Sequence, residues 1–175
     1  IITEPELAYE IADADLVGVT GTNGKTTTTT LISLMLNHLN NKNKAYACGN
    51  IGISAVETAK KATVDDILVM ELSSFQLLGI TKLHPKIAVL TNIYEAHTDY
   101  HGSRENYVKA KMRLLKNQTK TDHFVVNFDQ AEWRELSQQA KAKVVPFSRT
   151  AFTKEGAYEE NGILYFKDEA IMPAD

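Results

Sequence analysis

A short glycine-rich segment, residues 21–27, has the residue types that bind nucleotide phosphates. Glycines let backbone N–H groups turn toward anionic oxygens, and the N-terminus of a following helix adds its dipole. A lysine in such a loop can reach terminal phosphates, and the hydroxyl of the next residue can hold Mg²⁺. The alternative is a turn that only caps a helix. The threonines at 26–30 disfavour that alternative, because β-branched residues start a helix poorly.

The segment therefore predicts a nucleotide-binding loop. It is a short one, since only three residues separate Gly21 from Lys25, whereas the standard phosphate loop has a longer spacer. The residues expected to bind the nucleotide are Gly21, Thr22, Asn23, Gly24, Lys25, Thr26 and Thr27.

Glu71 is a carboxylate at the end of an otherwise apolar run, residues 67–70. A charge in such a position is costly unless it is paired or coordinates a cation. An ion-pair or capping role is the alternative to a metal site. Because a phosphate loop is also present, we favour Glu71 as a ligand of Mg²⁺.

Within the segment 95–101, the five residues 97–101 contain three potential metal ligands, His97, Asp99 and His101. The alternative is that the two histidines only lie in a surface loop, and for either histidine alone that interpretation would be preferred. His97 is favoured because it follows the end of a further apolar run, 87–90. Carboxyl ends of parallel strands meet at one edge of a sheet, so His97 should face the crevice of the phosphate loop.

The helix predicted over 105–117 carries two lysines that point to nearly opposite sides, Lys109 and Lys111. Lys111 shares the inner face with Tyr107, which stands one helical turn before it. A lysine on the buried side beside a metal site is unusual, and composition alone gives no reason for it.

The elements that position these residues alternate between short strands and helices, which predicts crossover connections and a mostly parallel sheet. Strands are expected at 16–19, 45–48, 67–70, 87–90, 124–127 and 144–147, and a two-residue hairpin at Asn161-Gly162. Thr3 and Glu6 are expected to form a capping box on a first helix. The helix after the phosphate loop is expected to present one face made of Thr27, Leu31, Leu34, Met35 and His38.

The composition excludes several classes of protein. With 43% hydrophobic and 23% charged residues in 175, the chain has the composition of a globular domain. A net charge of −3 without a basic block argues against nucleic acid as a partner, and the apolar runs are too short to span a bilayer. The single cysteine, Cys48, excludes an internal disulfide and favours a cytoplasmic setting.

Several of these segments resemble one enzyme family. Residues 21–27 are similar to the ATP loop of the Mur ligases, which build the peptide stem of bacterial peptidoglycan, and of the related folylpolyglutamate synthases. Residues 71–77, Glu-Leu-Ser-Ser-Phe-Gln-Leu, resemble more specifically the members that add D-glutamate. Residues 49–52 and 91–111 fit the same members, and the resemblance extends from Ile1 to about Phe166. It implies an α/β fold of the Mur ligase central-domain type, with a mostly parallel sheet flanked by helices and a small β-hairpin region near the C-terminus.

The resemblance also implies roles for individual residues. Lys25 would contact the ATP phosphates, Thr26 and Glu71 would bind a first Mg²⁺, and His97 a second. Lys111 would be carbamylated by CO₂, which replaces an ammonium with an anionic metal ligand. The muramoyl peptide would contact Asn50, Ser73, Ser74 and Gln76. One departure is Ala96, where many relatives have an aspartate that supports the histidine.

The implied reaction is the ATP-dependent addition of D-glutamate to UDP-N-acetylmuramoyl-L-alanine through an acyl phosphate. A phosphate-loop kinase, a non-catalytic nucleotide-binding module and a folylpolyglutamate-synthase-like ligase are the alternatives. Residues 1–175 would form a central ATP-binding domain, incomplete at its C-terminal end, of a longer protein with an N-terminal UDP-binding domain and a C-terminal domain. The whole protein is expected to be a monomer, and the isolated segment inactive in ligation.

Overall fold

The structure, a computed structural model, describes residues 2–39, 43–94, 98–151, 153 and 155–174. The helices are α1 (Glu4–Ile11), α2 (Lys25–Leu39), α3 (Ala55–Ala59), α4 (Ser74–Leu78), α5 (Thr98–His101), α6 (Arg104–Met112) and α7 (Ala131–Ser137), with a 3₁₀ turn at Arg113–Leu115. The strands are β1 (Asp15–Thr20), β2 (Ala45–Gly49), β3 (Ile67–Glu71), β4 (Ile87–Leu90), β5 (His123–Asn127), β6 (Lys143–Ser148), β7 (Ala157–Glu160), β8 (Ile163–Phe166) and β9 (Glu169–Pro173).

The described strands form one sheet in the order β2-β3-β1-β4-β5-β6-β7-β8-β9. Pairing is parallel from β2 through β7 and antiparallel for β7–β8 and β8–β9. The predicted α/β class is therefore confirmed, and so is the hairpin, whose turn residues Asn161 and Gly162 have φ angles of 52° and 75°. Such positive values suit asparagine and glycine.

Side chains alternate between the two faces of the sheet and form two cores. On one face, Leu68, Met70, Phe124 and their neighbours pack with residues of α1, α3, α4, α6 and α7. On the other face, a smaller cluster that includes Val69 and Val89 packs with residues of α2. Because β1 to β7 are parallel, their carboxyl ends lie along one edge of the sheet, and the segment that connects β1 to α2 lies at that edge.

The predicted inner face of α2 was wrong. Leu31, Leu34 and Met35 are more than half exposed, whereas Thr29 and Ser33 are buried against the sheet. The Ser33 hydroxyl donates a hydrogen bond of 2.9 Å to the carbonyl oxygen of Ala45 in β2. Small polar residues thus let α2 approach the strands closely, and a pattern of large apolar residues alone did not reveal that contact.

The capping box predicted at α1 is also absent, because both of its side chains are used elsewhere. The Thr3 hydroxyl donates to the carbonyl oxygen of Gln76 at 3.3 Å. Glu6 is fully buried and accepts hydrogen bonds from the Thr81 hydroxyl and from the backbone N–H groups of Lys82 and Leu83. Glu6 therefore anchors the loop that leads into β4. Among the described residues, no helix combines the length and apolar character required to cross a bilayer.

Replacing Glu6 with glutamine is expected to lower the free energy of unfolding by about 1–3 kcal/mol, because one acceptor oxygen is lost in a buried site. Burial raises the pKa of Glu6, but the hydrogen bonds from residues 81–83 outweigh it and leave that pKa below its usual value of 4.5. The stabilisation should be complete above pH 4.5 and be lost as the pH falls through the lowered pKa. Urea unfolding at pH 7 and pH 3 measures both effects. An equal effect of the substitution at both pH values would contradict this account.

Candidate active site

The phosphate loop lies between β1 and α2 and is held by the end of β4. The backbone N–H of Thr22 donates to the carbonyl oxygen of Asn92 at 2.9 Å, and the N–H of Asn23 donates to the Asn92 side-chain oxygen at 2.9 Å. Thr91 donates from its hydroxyl to the carbonyl oxygen of Asn23 at 2.8 Å. The loop is thus held in shape by two residues that directly follow β4, about 70 positions later in the chain. The Lys25 Nζ donates to the carbonyl oxygen of Thr22 at 2.9 Å and remains within the loop.

Gly21 is required by close packing against β4. A Cβ atom added there would lie 1.9 Å from the Thr91 Oγ1, whereas a Cβ at Gly24 would meet no atom within 4 Å. Gly24 instead has a φ of 77°, which is unfavourable for other residues.

We expect the Gly21→Ala substitution to destabilise the fold by about 3 kcal/mol through overpacking, and Gly24→Ala by about 1 kcal/mol through backbone strain alone. Both values can be obtained from urea unfolding. Gly24→Ala is the matched control, since it adds the same methyl group in the same loop. Equal losses in the two variants would refute the role given to the Thr91 contact.

Glu71, at the end of β3, joins the loop to the neighbouring strand ends. It is 2% exposed. Its Oε2 accepts a hydrogen bond of 2.7 Å from the Thr26 hydroxyl, and its Oε1 accepts one of 2.9 Å from the Asn50 side-chain amide. Each oxygen of the Glu71 carboxylate therefore accepts a hydrogen bond at the carboxyl edge of the sheet, where the phosphate loop leads into α2. The two residues proposed to share a metal, Thr26 and Glu71, are in direct contact.

Lys111, on α6, is buried behind the same loop and is 2% exposed. Its Nζ donates a hydrogen bond of 2.8 Å to the Gly21 carbonyl oxygen and lies 4.7 Å from the centre of the Tyr107 ring. Burial and the nearby charge of Lys25 lower the pKa of Lys111 from 10.5 to about 7, although the Glu71 carboxylate acts in the opposite direction. Lys109, two residues earlier, is exposed. The prediction that the two lysines face opposite sides is confirmed.

The lowered pKa of Lys111 makes the stability of the fold depend on pH. Between pH 7 and 10.5 the unfolded state binds more protons at this group than the folded state, so the free energy of unfolding should rise with pH across that range. A Lys111→Met variant should lose this increase. Urea unfolding at pH 7, 8 and 9 in bicarbonate-free buffer tests the expectation, with Lys109→Met as the control. The same slope in wild type and Lys111→Met would contradict it.

A chain of side chains connects α6 with the loop and with α4, and sequence reasoning missed it. The Tyr107 hydroxyl lies 3.2 Å from the Thr22 Oγ1, and the ring of His101 lies 5.3 Å from the Tyr107 ring. The His101 Nε2 lies 3.0 Å from the hydroxyl oxygen of Ser74. The helical spacing of Tyr107 and Lys111 indicated that the Tyr107 side chain faces inward. Nothing in the sequence paired His101 with Ser74.

The residues expected to meet the substrate are placed as follows. Ser73 and Gln76 form a capping box at the start of α4: the Gln76 N–H donates to the Ser73 Oγ at 3.3 Å, and the Ser73 N–H donates to the Gln76 Oε1 at 2.9 Å. Ser74 is 2% exposed. Asn50 follows β2 and contacts Glu71, so all four lie at the carboxyl edge of the sheet. His97 and Ala96 lie outside the described residues.

Among the described residues, no group of three or more His, Cys, Asp or Glu side chains is arranged around a common point. This finding is compatible with Mg²⁺, which takes few protein ligands and retains waters or phosphate oxygens.

Comparisons with known proteins identify the family of this chain. Residues 19–171 match the family described as "Mur ligase middle domain". The chain is 66% identical over its whole length to the UDP-N-acetylmuramoylalanine--D-glutamate ligase of Ligilactobacillus salivarius and 64% identical over 99% of it to that of Lactiplantibacillus plantarum; it spans 38% of the length of each. In fold it is similar to the MurF ligase of Thermotoga maritima in complex with ADP, with a TM-score of 0.65, 24% identity, and coverage of 91% of this chain and 40% of that one. The chain belongs to the Mur ligase middle-domain family.

Proposed function

We propose that this chain is the ATP-binding part of a ligase that joins D-glutamate to UDP-N-acetylmuramoyl-L-alanine. Curated relatives that are 51–66% identical bear the name UDP-N-acetylmuramoylalanine--D-glutamate ligase. Because the chain spans 38% of their length, the activity belongs to a longer protein. We assign residues 1–175 to its central domain, with the UDP group held by an N-terminal domain and D-glutamate by a C-terminal domain.

The proposed reaction has two steps. The free carboxylate of UDP-N-acetylmuramoyl-L-alanine attacks the γ-phosphorus of ATP, so that an acyl phosphate forms and ADP leaves. The amine of D-glutamate then attacks the acyl carbon, an amide bond forms, and inorganic phosphate leaves. The first step brings two anions together, and the chain must therefore supply positive charge and backbone N–H donors at the loop.

The main support for the proposal is that Lys25, Glu71 and Lys111 all form hydrogen bonds with the phosphate loop or with the first turn of α2. Lys25 lies within the loop, Glu71 is bound to the first turn of α2, and Lys111 donates to the loop carbonyl at Gly21. The N–H groups of Thr22 and Asn23 are bound to Asn92. In the proposed complex, the backbone N–H groups from Gly24 onward and the Lys25 ammonium therefore donate to the phosphate oxygens.

The residues present fit the Mg²⁺ ions that the family implies. Thr26 and Glu71 offer a hydroxyl and a carboxylate oxygen only 2.7 Å apart, both hard oxygen ligands of the kind that Mg²⁺ prefers. Bound Mg²⁺ would neutralise the charge that develops on the phosphate oxygens. Asn50 holds the second oxygen of Glu71 and so orients the carboxylate. His97 is proposed as a ligand of a second ion on sequence grounds.

Lys111 fits the proposed carbamate. With a pKa of about 7, a large fraction of its amine is neutral at cytoplasmic pH, and only a neutral amine attacks CO₂. The attack forms an N–C bond and releases one proton, which leaves a carbamate anion. The Lys25 charge that lowers the pKa of Lys111 would then stabilise this anion. We place Asn50, Ser73, Ser74 and Gln76 beside the muramoyl peptide, and we propose a monomeric, cytoplasmic enzyme.

The decisive experiment measures ADP formation by the full-length protein with UDP-N-acetylmuramoyl-L-alanine, with and without D-glutamate. The ligase should require D-glutamate for sustained ADP release, and it should reject L-glutamate. A phosphate-loop kinase would release ADP without any amino acid, and a binding module would release none. Either of those results would overturn the proposal. Activity with a folate in place of the muramoyl peptide would instead favour a folylpolyglutamate-synthase-like ligase.

A further inference from the structure

His101 is a buried imidazole packed among aromatic rings. It is the last residue of α5 and is 8% exposed, although Tyr100 beside it is 63% exposed. The centre of its ring lies 5.4 Å from that of Phe75 in α4, with the two rings stacked, and 5.3 Å from that of Tyr107 in α6. A polar group in such surroundings is costly unless it has a hydrogen-bond partner. The His101 Nε2 has one in the hydroxyl of Ser74, at 3.0 Å.

The α5–α6 segment and the turn after it hold α4 at both of its ends. At the C-terminal end of α4, the Arg113 guanidinium donates to the carbonyl oxygens of Leu77 and Ile80 at 2.8 and 2.7 Å. At the N-terminal end, α4 is held by the imidazole of His101. The backbone of His101 is fixed in turn, because its carbonyl oxygen accepts a hydrogen bond of 2.9 Å from the Asn106 side chain in α6. The start of α4 therefore has a fixed position relative to α6.

α6 also carries the side chains that contact the phosphate loop. The Tyr107 hydroxyl lies 3.2 Å from the Thr22 Oγ1, and the Lys111 Nζ donates to the Gly21 carbonyl oxygen. Through α6, His101 thus relates the start of α4 to the loop. Such a relation matters for a reaction between two bound substrates, since a misplacement of about 1 Å can slow it ~100-fold.

The first residues of α4 differ in what they offer to a ligand. The Ser73 hydroxyl and backbone N–H both donate to the Gln76 Oε1, so these groups are used in the helix cap. The Gln76 side-chain NH₂ group has no partner among the described residues, and it can donate to carbonyl or carboxylate oxygens. Gln76 is half-buried, whereas Ser74 is 2% exposed. Ser74 is therefore suited to anchor the segment, and Gln76 to contact a ligand.

We propose that His101 is a positioning residue for the acyl substrate. Its hydrogen bond to Ser74 sets the position of the first turn of α4, and with it the direction of the Gln76 amide at the carboxyl edge of the sheet. His101 acts through α4 and does not itself contact the substrate. The inference rests on the proposed ligase reaction, because it assigns the start of α4 to UDP-N-acetylmuramoyl-L-alanine.

A histidine that only fills the core would behave differently. The shape of the ring would then matter for stability, and the Nε2 would not matter for substrate binding. Packing against Phe75 and Tyr107 needs a ring but no nitrogen, whereas the contact with Ser74 needs the nitrogen. The two roles can therefore be separated by substitutions that keep either the ring or the polar group.

The test compares two such substitutions in the full-length protein by steady-state kinetics. His101→Phe keeps the ring and removes the Nε2, whereas His101→Gln supplies an amide in place of the Nε2. We expect His101→Phe to raise the KM for UDP-N-acetylmuramoyl-L-alanine ~10-fold, the effect of about one hydrogen bond. The KM for ATP should change less than ~2-fold, because the contacts of Tyr107 and Lys111 with the loop remain. His101→Gln should return the KM for the acyl substrate to within ~3-fold of wild type.

Ser74→Ala removes the other partner of the contact and only one oxygen atom, so it tests the contact even if His101→Phe does not fold. It should raise the same KM by about the same factor, and the double variant should be no worse than either single variant. His38→Phe, at an exposed position of α2, is the control and should leave both KM values unchanged. Circular dichroism confirms that each variant folds.

Three results would each overturn the role of His101. They are a wild-type KM for the acyl substrate in folded His101→Phe or Ser74→Ala, a His101→Gln variant that is no better than His101→Phe, and additive effects in the double variant. A wild-type protein that releases no ADP in response to D-glutamate would instead overturn the ligase reaction, and this inference with it.

Discussion

Replacing Lys111 with alanine in the full-length protein is expected to lower D-glutamate-dependent ADP formation at least ~100-fold, which is the usual loss when one preorganised electrostatic group is removed from an active site. Lys111 is buried, donates to the Gly21 carbonyl oxygen and lies within electrostatic reach of Lys25 and Glu71. Its loss removes both a contact behind the phosphate loop and the proposed carbamate ligand. Steady-state kinetics with an ADP-coupled assay measures the effect.

Two comparisons separate the carbamate from a purely structural role. Lys109→Ala removes an exposed lysine from the same helix and should retain activity within about twofold, since exposed substitutions rarely matter. Wild-type activity should fall when bicarbonate is removed and recover when it is restored. The small Lys111→Ala side chain should also permit partial rescue by added short-chain carboxylates. A Lys111→Ala variant with full activity at low bicarbonate would refute the carbamate.

The order of the parallel strands was predictable from the sequence because each apolar run was short and each ended in small or polar residues. The short helices α4 and α5 and the last strand, β9, were not predicted. Carboxyl ends of parallel strands lie at one edge of a sheet, and this alone predicted that the phosphate loop, Glu71 and Asn50 lie close together. The orientation of α2 was not predictable in this way. The face that it turns to the sheet includes the small residues Thr29 and Ser33, which are buried, and the Ser33 hydroxyl donates to the carbonyl oxygen of Ala45 in β2.

Contacts between segments that are distant in the chain were the part of the site that was hardest to predict from the sequence. The bond from Lys111 to Gly21 joins residues 90 positions apart, and it depends on how α6 crosses the sheet. The burial of Lys111 followed from helical spacing, but its partner did not. The roles of Glu6 and Thr3 were misassigned because a local capping box and a long-range anchor use the same residue types.

Replacing Glu71 with glutamine should reduce kcat at least ~100-fold at saturating ATP while leaving the fold intact. Glutamine has nearly the same shape, and its carbonyl oxygen can still accept the hydrogen bond from Thr26 or Asn50. What it loses is the negative charge, which a capping acceptor does not need and a Mg²⁺ ligand does. Kinetics over a range of Mg²⁺ concentrations measures both the loss in kcat and a shift of the half-saturating Mg²⁺ concentration to higher values.

The matched control is Glu132→Gln, which removes a carboxylate that pairs with Arg104 at 2.6 Å on the partly exposed side of α7. That ion pair is solvent-accessible, so its loss should cost at most about 1 kcal/mol of stability and leave the Mg²⁺ dependence unchanged. Thr26→Val supplies the complementary change, since it keeps the shape but removes the hydroxyl that meets Glu71. If Glu71 and Thr26 share one ion, both substitutions should raise the half-saturating Mg²⁺ concentration, and combining them should cost less than the sum of the two effects. Normal Mg²⁺ dependence in Glu71→Gln would reduce Glu71 to a hydrogen-bond acceptor that positions α2 and Asn50.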